Sequence, residues 1–240
     1  MIAYPRTCAS LLILAAAGLF SSSTPGTFAQ RKQRPAKGAS LSAQEIARTA
    51  LPAVVLLVCD DGKTASQGSG FFIRPGVLVT NYHVIEGMGR GIARRSVGNR
   101  RERRDFRVRR VIAYEKETDL ALLSVPGARD AGVPALPLTP EGNLAEVGET
   151  VYALGNPEGL VGTISPGIIA AKLRGSQDQA RLQITTPISH GSSGGPIVNT
   201  RGEVVGVAQG SLSEGQNLNF AIPASLIHRI LQRTGAQSKT

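Results

Sequence analysis

The sequence predicts an all-β fold in two halves, with a short helix at each end. Three observations predict it. Short β-branched runs recur along most of the chain, at 53–59, 69–74, 77–80, 107–113, 120–125, 150–154, 163–172, 181–185, 196–199, 203–208 and 218–222, at the density barrels require. The 28 glycines and 14 prolines suit the tight turns such strands need. No helical pattern of useful length interrupts the runs, which argues against a parallel α/β sheet.

Taken from the N-terminus, the first 29 residues read as a secretory signal peptide. Arg6 supplies the positive start, Cys8 to Phe20 is predominantly apolar, and Thr27-Phe28-Ala29 places small residues at −3 and −1 of a cleavage site. The apolar run falls short of the ~18–20 residues that span a bilayer, so no stable membrane insertion is expected and the protein is expected to be exported, periplasmic or secreted. Cys8 leaves with this segment. The processed chain then keeps only Cys59 and has no internal disulfide; Cys59, inside a strand-like run, reads as a small buried hydrophobe.

Residues 30–41 are basic and aperiodic and read as a disordered leader. A single domain follows over 42–235. Ser42 with Glu45 forms a capping box, and Ile46, Ala50 and Leu51 continue it at helical spacing until Pro52. Gly127 to Leu144, rich in Pro and Gly, is the connector between the two β halves. The closing stretch Pro223-Ala224-Ser225-Leu226-Ile227-His228-Arg229-Ile230-Leu231 predicts a helix packed on the body.

With 41% hydrophobic and 18% charged residues the chain is an ordinary globular protein, and its formal charge of +10 is concentrated. The leader carries four positive charges, and ten arginines face two acids between Arg90 and Arg110. That segment reads either as a solvated loop or as a docking patch for an anionic partner such as a polysaccharide, a lipid headgroup or an acidic protein. Aromatic residues make up 4%, so stacking on single-stranded nucleic acid has no support.

Hydrolysis by a serine needs a hydroxyl with a neighbouring base, a carboxylate to orient that base, and amides to hold an oxyanion. Ser193 lies in His190-Gly191-Ser192-Ser193-Gly194-Gly195-Pro196-Ile197. The glycines allow a sharp turn in which the N–H groups of Gly191 and Ser193 converge, and Gly194 and Gly195 leave room for a substrate carbonyl. His83 lies at a strand end in Val79-Thr80-Asn81-Tyr82-His83-Val84-Ile85, and Asp119 opens the apolar strand Asp119-Leu120-Ala121-Leu122-Leu123. Taken alone, His83 reads better as a structural histidine, and Asp119 equally well as a turn aspartate. His190 and His228 are weaker candidates for a base.

Together the segments resemble the chymotrypsin-like serine proteases, and within them the HtrA (Deg) family. The resemblance spans roughly 53 to 223. It rests on Gly68-Ser69-Gly70-Phe71-Phe72-Ile73, the segments around His83 and Asp119, Gly155-Asn156-Pro157-Glu158-Gly159, Gly162-Thr163-Ile164-Ser165-Pro166-Gly167-Ile168-Ile169, the Ser193 loop and Asn219-Phe220-Ala221-Ile222-Pro223, in the family's order. It implies two six-stranded antiparallel β-barrels and a serine endopeptidase with His83, Asp119 and Ser193 as triad. The amides of Gly191 and Ser193 would form the oxyanion hole, with no metal and no cofactor. Substrates would be exported or misfolded proteins. The primary pocket would be lined by Pro187, six residues before the nucleophile, and by Val207, Ala208 and Gln209; with no acid among them, a modest apolar side chain is favoured over Lys or Arg.

The chain departs from the family in four places. Ser192 replaces the usual Asn, no room is left for a PDZ domain, and the arginine segment sits between the His and Asp motifs. Residues 30–70 contain no aromatic residue, so the family's trimer contacts do not carry over. A rival reading is a binding protein on a protease fold, acting through the arginine segment.

Overall fold

The first helix, α1 (Ala43–Ala50), starts where the capping box places it. Ser42 Oγ accepts from the Glu45 amide at 3.3 Å and the Glu45 carboxylate accepts from the Ser42 amide at 2.9 Å, which satisfies two end donors. Pro52 lies in a single 3₁₀ turn, Leu51–Ala53, that ends the helix. The computed structural model describes residues 40–97, 102–142, 145–156, 162–173, 180–189, 191–211 and 218–235. The signal segment, nearly all of the leader, and His190 lie outside the described residues.

The first half contains β1 (Val54–Asp60), β2 (Ala65–Arg74), β3 (Val77–Thr80), α2 (Tyr82–Ile85), β4 (Arg90–Val97), β5 (Glu102–Arg107), β6 (Arg110–Glu115) and β7 (Leu120–Ser124). They form a seven-stranded antiparallel sheet ordered β5-β4-β1-β2-β3-β7-β6. The expected six-stranded barrel is corrected here: the arginine segment supplies two strands, and β4 pairs with β1 from Leu56↔Arg94 to Asp60↔Arg90. The reason lies in its alternation. Ala93 and Phe106 are in register and buried, so their neighbours Arg94 and Asp105 face outward and pair in a two-bond fork at 2.8 and 2.7 Å.

The connector begins as α3 (Pro126–Asp130). It is pinned to both halves, by Leu136 N to Phe72 O at 2.8 Å and Thr139 N to Val204 O at 3.0 Å. The second half is a closed six-stranded barrel, β10-β13-β12-β11-β8-β9, built from β8 (Thr150–Gly155), β9 (Thr163–Leu173), β10 (Arg181–Ile184), β11 (Pro196–Asn199), β12 (Val204–Ser211) and β13 (Asn219–Pro223).

Helix α4 (Ala224–Arg233) closes the domain by burying Leu226, Ile227, Ile230 and Leu231. Its polar side is clamped too. Glu115 accepts from both Arg229 and Arg233, and Thr118 Oγ1 donates to the same carboxylate at 2.7 Å. Burial raises the Glu115 pKa, but these partners outweigh it and hold the carboxyl below its usual range. His228 Nε2 lies 2.8 Å from the Thr139 carbonyl, which can only accept, so this histidine is a structural donor. None of the described helices is long and apolar enough to cross a membrane.

Three cores follow from strand alternation. Phe72, Leu57 and Leu123 fill the first half, and Val151, Ile169 and Ile197 fill the barrel. The neighbouring Phe71 and Leu122 turn the other way and meet Leu154, Val198, Val207 and Ile222 between the halves. This shared core fixes the two halves against each other, and the cleft lies along their junction. Cys59 is buried; desolvation pushes its thiol up to about 11 although Ser66 lies beside it, so it is no thiolate nucleophile at neutral pH.

Candidate active site

His83 and Asp119 are held together by three contacts. His83 Nδ1 lies 2.8 Å from Asp119 Oδ2 and 3.1 Å from Oδ1, while the His83 amide donates to Oδ1 at 2.9 Å. The carboxylate side chain is 14% exposed, the imidazole 48%. Burial pushes the Asp119 pKa up, but the bonds from the His83 ring and amide outweigh it and hold the carboxyl below the usual range. An ionised carboxylate only accepts, so Nδ1 carries the proton and Nε2 presents a lone pair.

The backbone around the pair is shaped for it. Asp119 has φ 59°, the sole positive value outside glycine among the described residues. Aspartate tolerates this left-handed region better than most residues, and tertiary bonds hold it there. The Asp119 carbonyl accepts from Asn81 Nδ2 at 3.0 Å and from the Tyr82 amide at 3.1 Å. Asn81 is fully buried. Its role was hidden in the sequence; its position two residues before His83 was the available signal.

Ser193 comes from the second half. The Ser69 amide donates to its carbonyl at 2.7 Å, and its Oγ lies beside Gly210, which lines the same cleft as His83 and Asp119. Among the described residues, no hydrogen bond joins Ser193 Oγ to His83; such contacts often tighten only when substrate enters. Among the described residues, no group accepts from the amides of Gly191 or Ser193 either. Gly191 has φ 90°, a conformation that a side chain would strain.

A buried clasp, unforeseen in the sequence, sets this loop. The Ser69 hydroxyl donates to the Gly191 carbonyl at 2.6 Å and accepts from the Asn156 amide at 2.9 Å. Gly194 and Gly195 also differ from expectation. A Cβ on Gly194 would overlap the Ser69 carbonyl oxygen and the Thr80 hydroxyl, and one on Gly195 the Leu154 carbonyl oxygen. These glycines let the Ser193 loop press against its neighbours.

The four residues assigned to the primary pocket separate. Pro187 and Ala208 line one cavity with Thr163, Ser165, Ser189 and Ser192. Val207 does not belong there: its side chain is fully buried between the halves, because successive strand residues face opposite ways. Gln209, two residues beyond Val207, returns by the same alternation to the junction between the halves, farther along it. It lines the His83–Asp119 cleft with Leu173, Arg181, Gly210 and Phe220.

Comparison with known proteins agrees with this architecture. The family described as "Trypsin-like peptidase domain" matches residues 68–207. The "Putative serine protease HhoA" of Synechocystis is 36% identical over 170 residues, covering 67% of this chain and 41% of its own length. A "Probable periplasmic serine endoprotease DegP-like" of Rhizobium meliloti is 38% identical over 169 residues, covering 67% of this chain and 32% of its own. This chain thus spans less than half the length of these curated relatives. Among solved structures, the serine endoprotease from Yersinia pestis superposes with a TM-score of 0.69 at 28% identity, covering 83% of this chain and 68% of that one. Fold, junctional cleft and sequence match agree, and the chain belongs to the trypsin-like peptidase domain family, with HtrA-type serine proteases as its relatives.

Proposed function

We propose that the protein is a serine endopeptidase that cleaves exported or misfolded proteins outside the cytoplasm. The observation that carries this reading is the hydrogen-bonded His83–Asp119 pair, which lines a cleft together with Gly210, the neighbour of Ser193 Oγ. Ser193 Oγ attacks the peptide carbonyl, His83 takes its proton and returns it to the leaving amine, and Asp119 stabilises the imidazolium. The amides of Gly191 and Ser193 receive the oxyanion. The signal-like residues 1–29 and the DegP-like relatives named as periplasmic support export.

The cavity beside Ser192 has no charged residue among its described lining, where apolar Leu154, Pro187, Ile188 and Ala208 alternate with the hydroxyls of Thr163, Ser165 and Ser189. Cleavage after Val, Ala or Leu is therefore expected. A fluorophosphonate probe should label the wild type and spare Ser193→Ala, and a peptide library should give that preference. Absence of both labelling and casein cleavage would sink the endopeptidase reading, and strong cleavage after Arg or Lys would sink the specificity.

A second role belongs to the β4–β5 hairpin. Arg103, Arg104 and Arg107 are exposed on β5, at one end of the sheet, with Arg109 and Arg110 following. Such a surface suits an anionic partner held by charge. Replacing Arg103, Arg104 and Arg107 by glutamate should lower the salt concentration at which the protein elutes from a heparin column. Unchanged elution would retire this role.

A further inference from the structure

Two polar side chains of the second barrel complete the surroundings of the Asp119 carboxylate. Gln209 Nε2 donates to Asp119 Oδ2 at 3.2 Å, the oxygen that also lies 2.8 Å from His83 Nδ1. Arg181, at the start of β10, donates from Nε to Gln209 Oε1, and its Nη1 donates to the Ala180 carbonyl at 3.0 Å. The Gln209 amide has one possible orientation. A guanidinium only donates and a carboxylate only accepts, so the oxygen must face Arg181 and the nitrogen Asp119.

We propose that Gln209, held by Arg181, is a positioning residue for the Asp119–His83 pair. It fixes the rotation of the carboxylate and tempers its pull on the imidazolium. Three donors then share the Asp119 oxygens: the His83 amide, the His83 ring and Gln209. Two come from the first half and one from the second, so the state of the base depends on the two halves staying docked. This inference rests on the endopeptidase reading for its effect on rate, but the contact itself does not.

Among the described residues, the charged and titratable groups around the pair are few. His83 faces Asp119 from α2 and Arg181 from β10; burial disfavours the Arg181 charge, and Asp119 partly offsets this. Lys116, in the turn before Asp119, packs over the Tyr82 ring with Glu86 and Tyr114 nearby. The alternative role for Gln209 is contact with substrate alone, since it also lines the cleft. A small organophosphate separates the two roles, because it reports the nucleophile and base without filling the peptide subsites.

The test follows the inactivation rate of the full chain against pH, together with the His83 ring titration by NMR, in wild type, Gln209→Ala, Gln209→Glu, Arg181→Ala and Gln209→Ala/Arg181→Ala. Loss of a hydrogen bond to a charged group should slow Gln209→Ala roughly ten-fold. Gln209→Glu is close to isosteric but sets an acceptor against Oδ2; it should slow the reaction further and move both the acid limb and the His83 titration to higher pH. Since Arg181 acts through Gln209, the double variant should be no slower than Gln209→Ala alone.

Wild-type rates and an unchanged titration in both Gln209 variants, with only the peptide KM altered, would overturn the proposal. A wild type that takes no label defeats the endopeptidase reading instead. The titration still decides the brace in that case: a higher midpoint in Gln209→Glu upholds it, and the same midpoint refutes it.

Discussion

Replacing Ser193 by alanine is expected to lower casein hydrolysis by roughly six orders of magnitude, and His83→Ala should match it, because nucleophile and base act as one unit. The double variant should therefore be no slower than either single one. Losses that multiply would show that the two side chains do not cooperate, against the shared cleft described above. Asp119→Asn should cost about 10⁴-fold, because an amide nitrogen facing Nδ1 favours the wrong imidazole tautomer. The pH dependence has a definite sign. The Asp119 carboxyl is held below its usual range, so its contribution to stability is present above the unfolded value and is lost as pH falls through the folded one. Asp119 thus stays ionised through mildly acidic pH.

Gly194→Ala should be the most disruptive single methyl in the site. Its φ of +86° disfavours any side chain, and the new Cβ would overlap the Ser69 carbonyl oxygen and the Thr80 hydroxyl. Backbone strain and overpacking together predict a loss of about 2–5 kcal/mol, or a melting temperature lower by roughly 4–20 degrees. Gly132→Ala is the matched control. It has φ +65° and nothing within 4 Å of the added atom, so only the strain of about 1–2 kcal/mol remains. Thermal melts of the two variants isolate the packing contribution; equal losses would mean that the Ser193 loop does not rest on Ser69 and Thr80 as described.

Much of the site was legible because its chemistry is local. The turn around Ser193 needs glycine at fixed offsets, the capping box announces α1, and an acid heading Leu120-Ala121-Leu122-Leu123 is unusual unless something bonds it. The missed features are long-range. Asn81 reaches Asp119 across 38 positions, Ser69 reaches Gly191 across 122, and Gln209 reaches Asp119 across 90. Each is an ordinary polar residue in its own segment. Val207 and Gln209 face the same junction between the halves, and only the packing of those halves buries one and leaves the other at the cleft.

The sequence by itself determined the β architecture and the two terminal helices, since turn residues and periodicity act over a few positions at a time, and it nominated three residues for the chemistry. The tertiary structure decided the rest. It opened the first half into seven strands, turned the paired glycines into close packing surfaces, and brought Ser69, Asn81, Arg181 and Gln209 to the site. Those outcomes depend on which buried faces meet, and a contact between distant segments leaves no mark in either segment until both are folded.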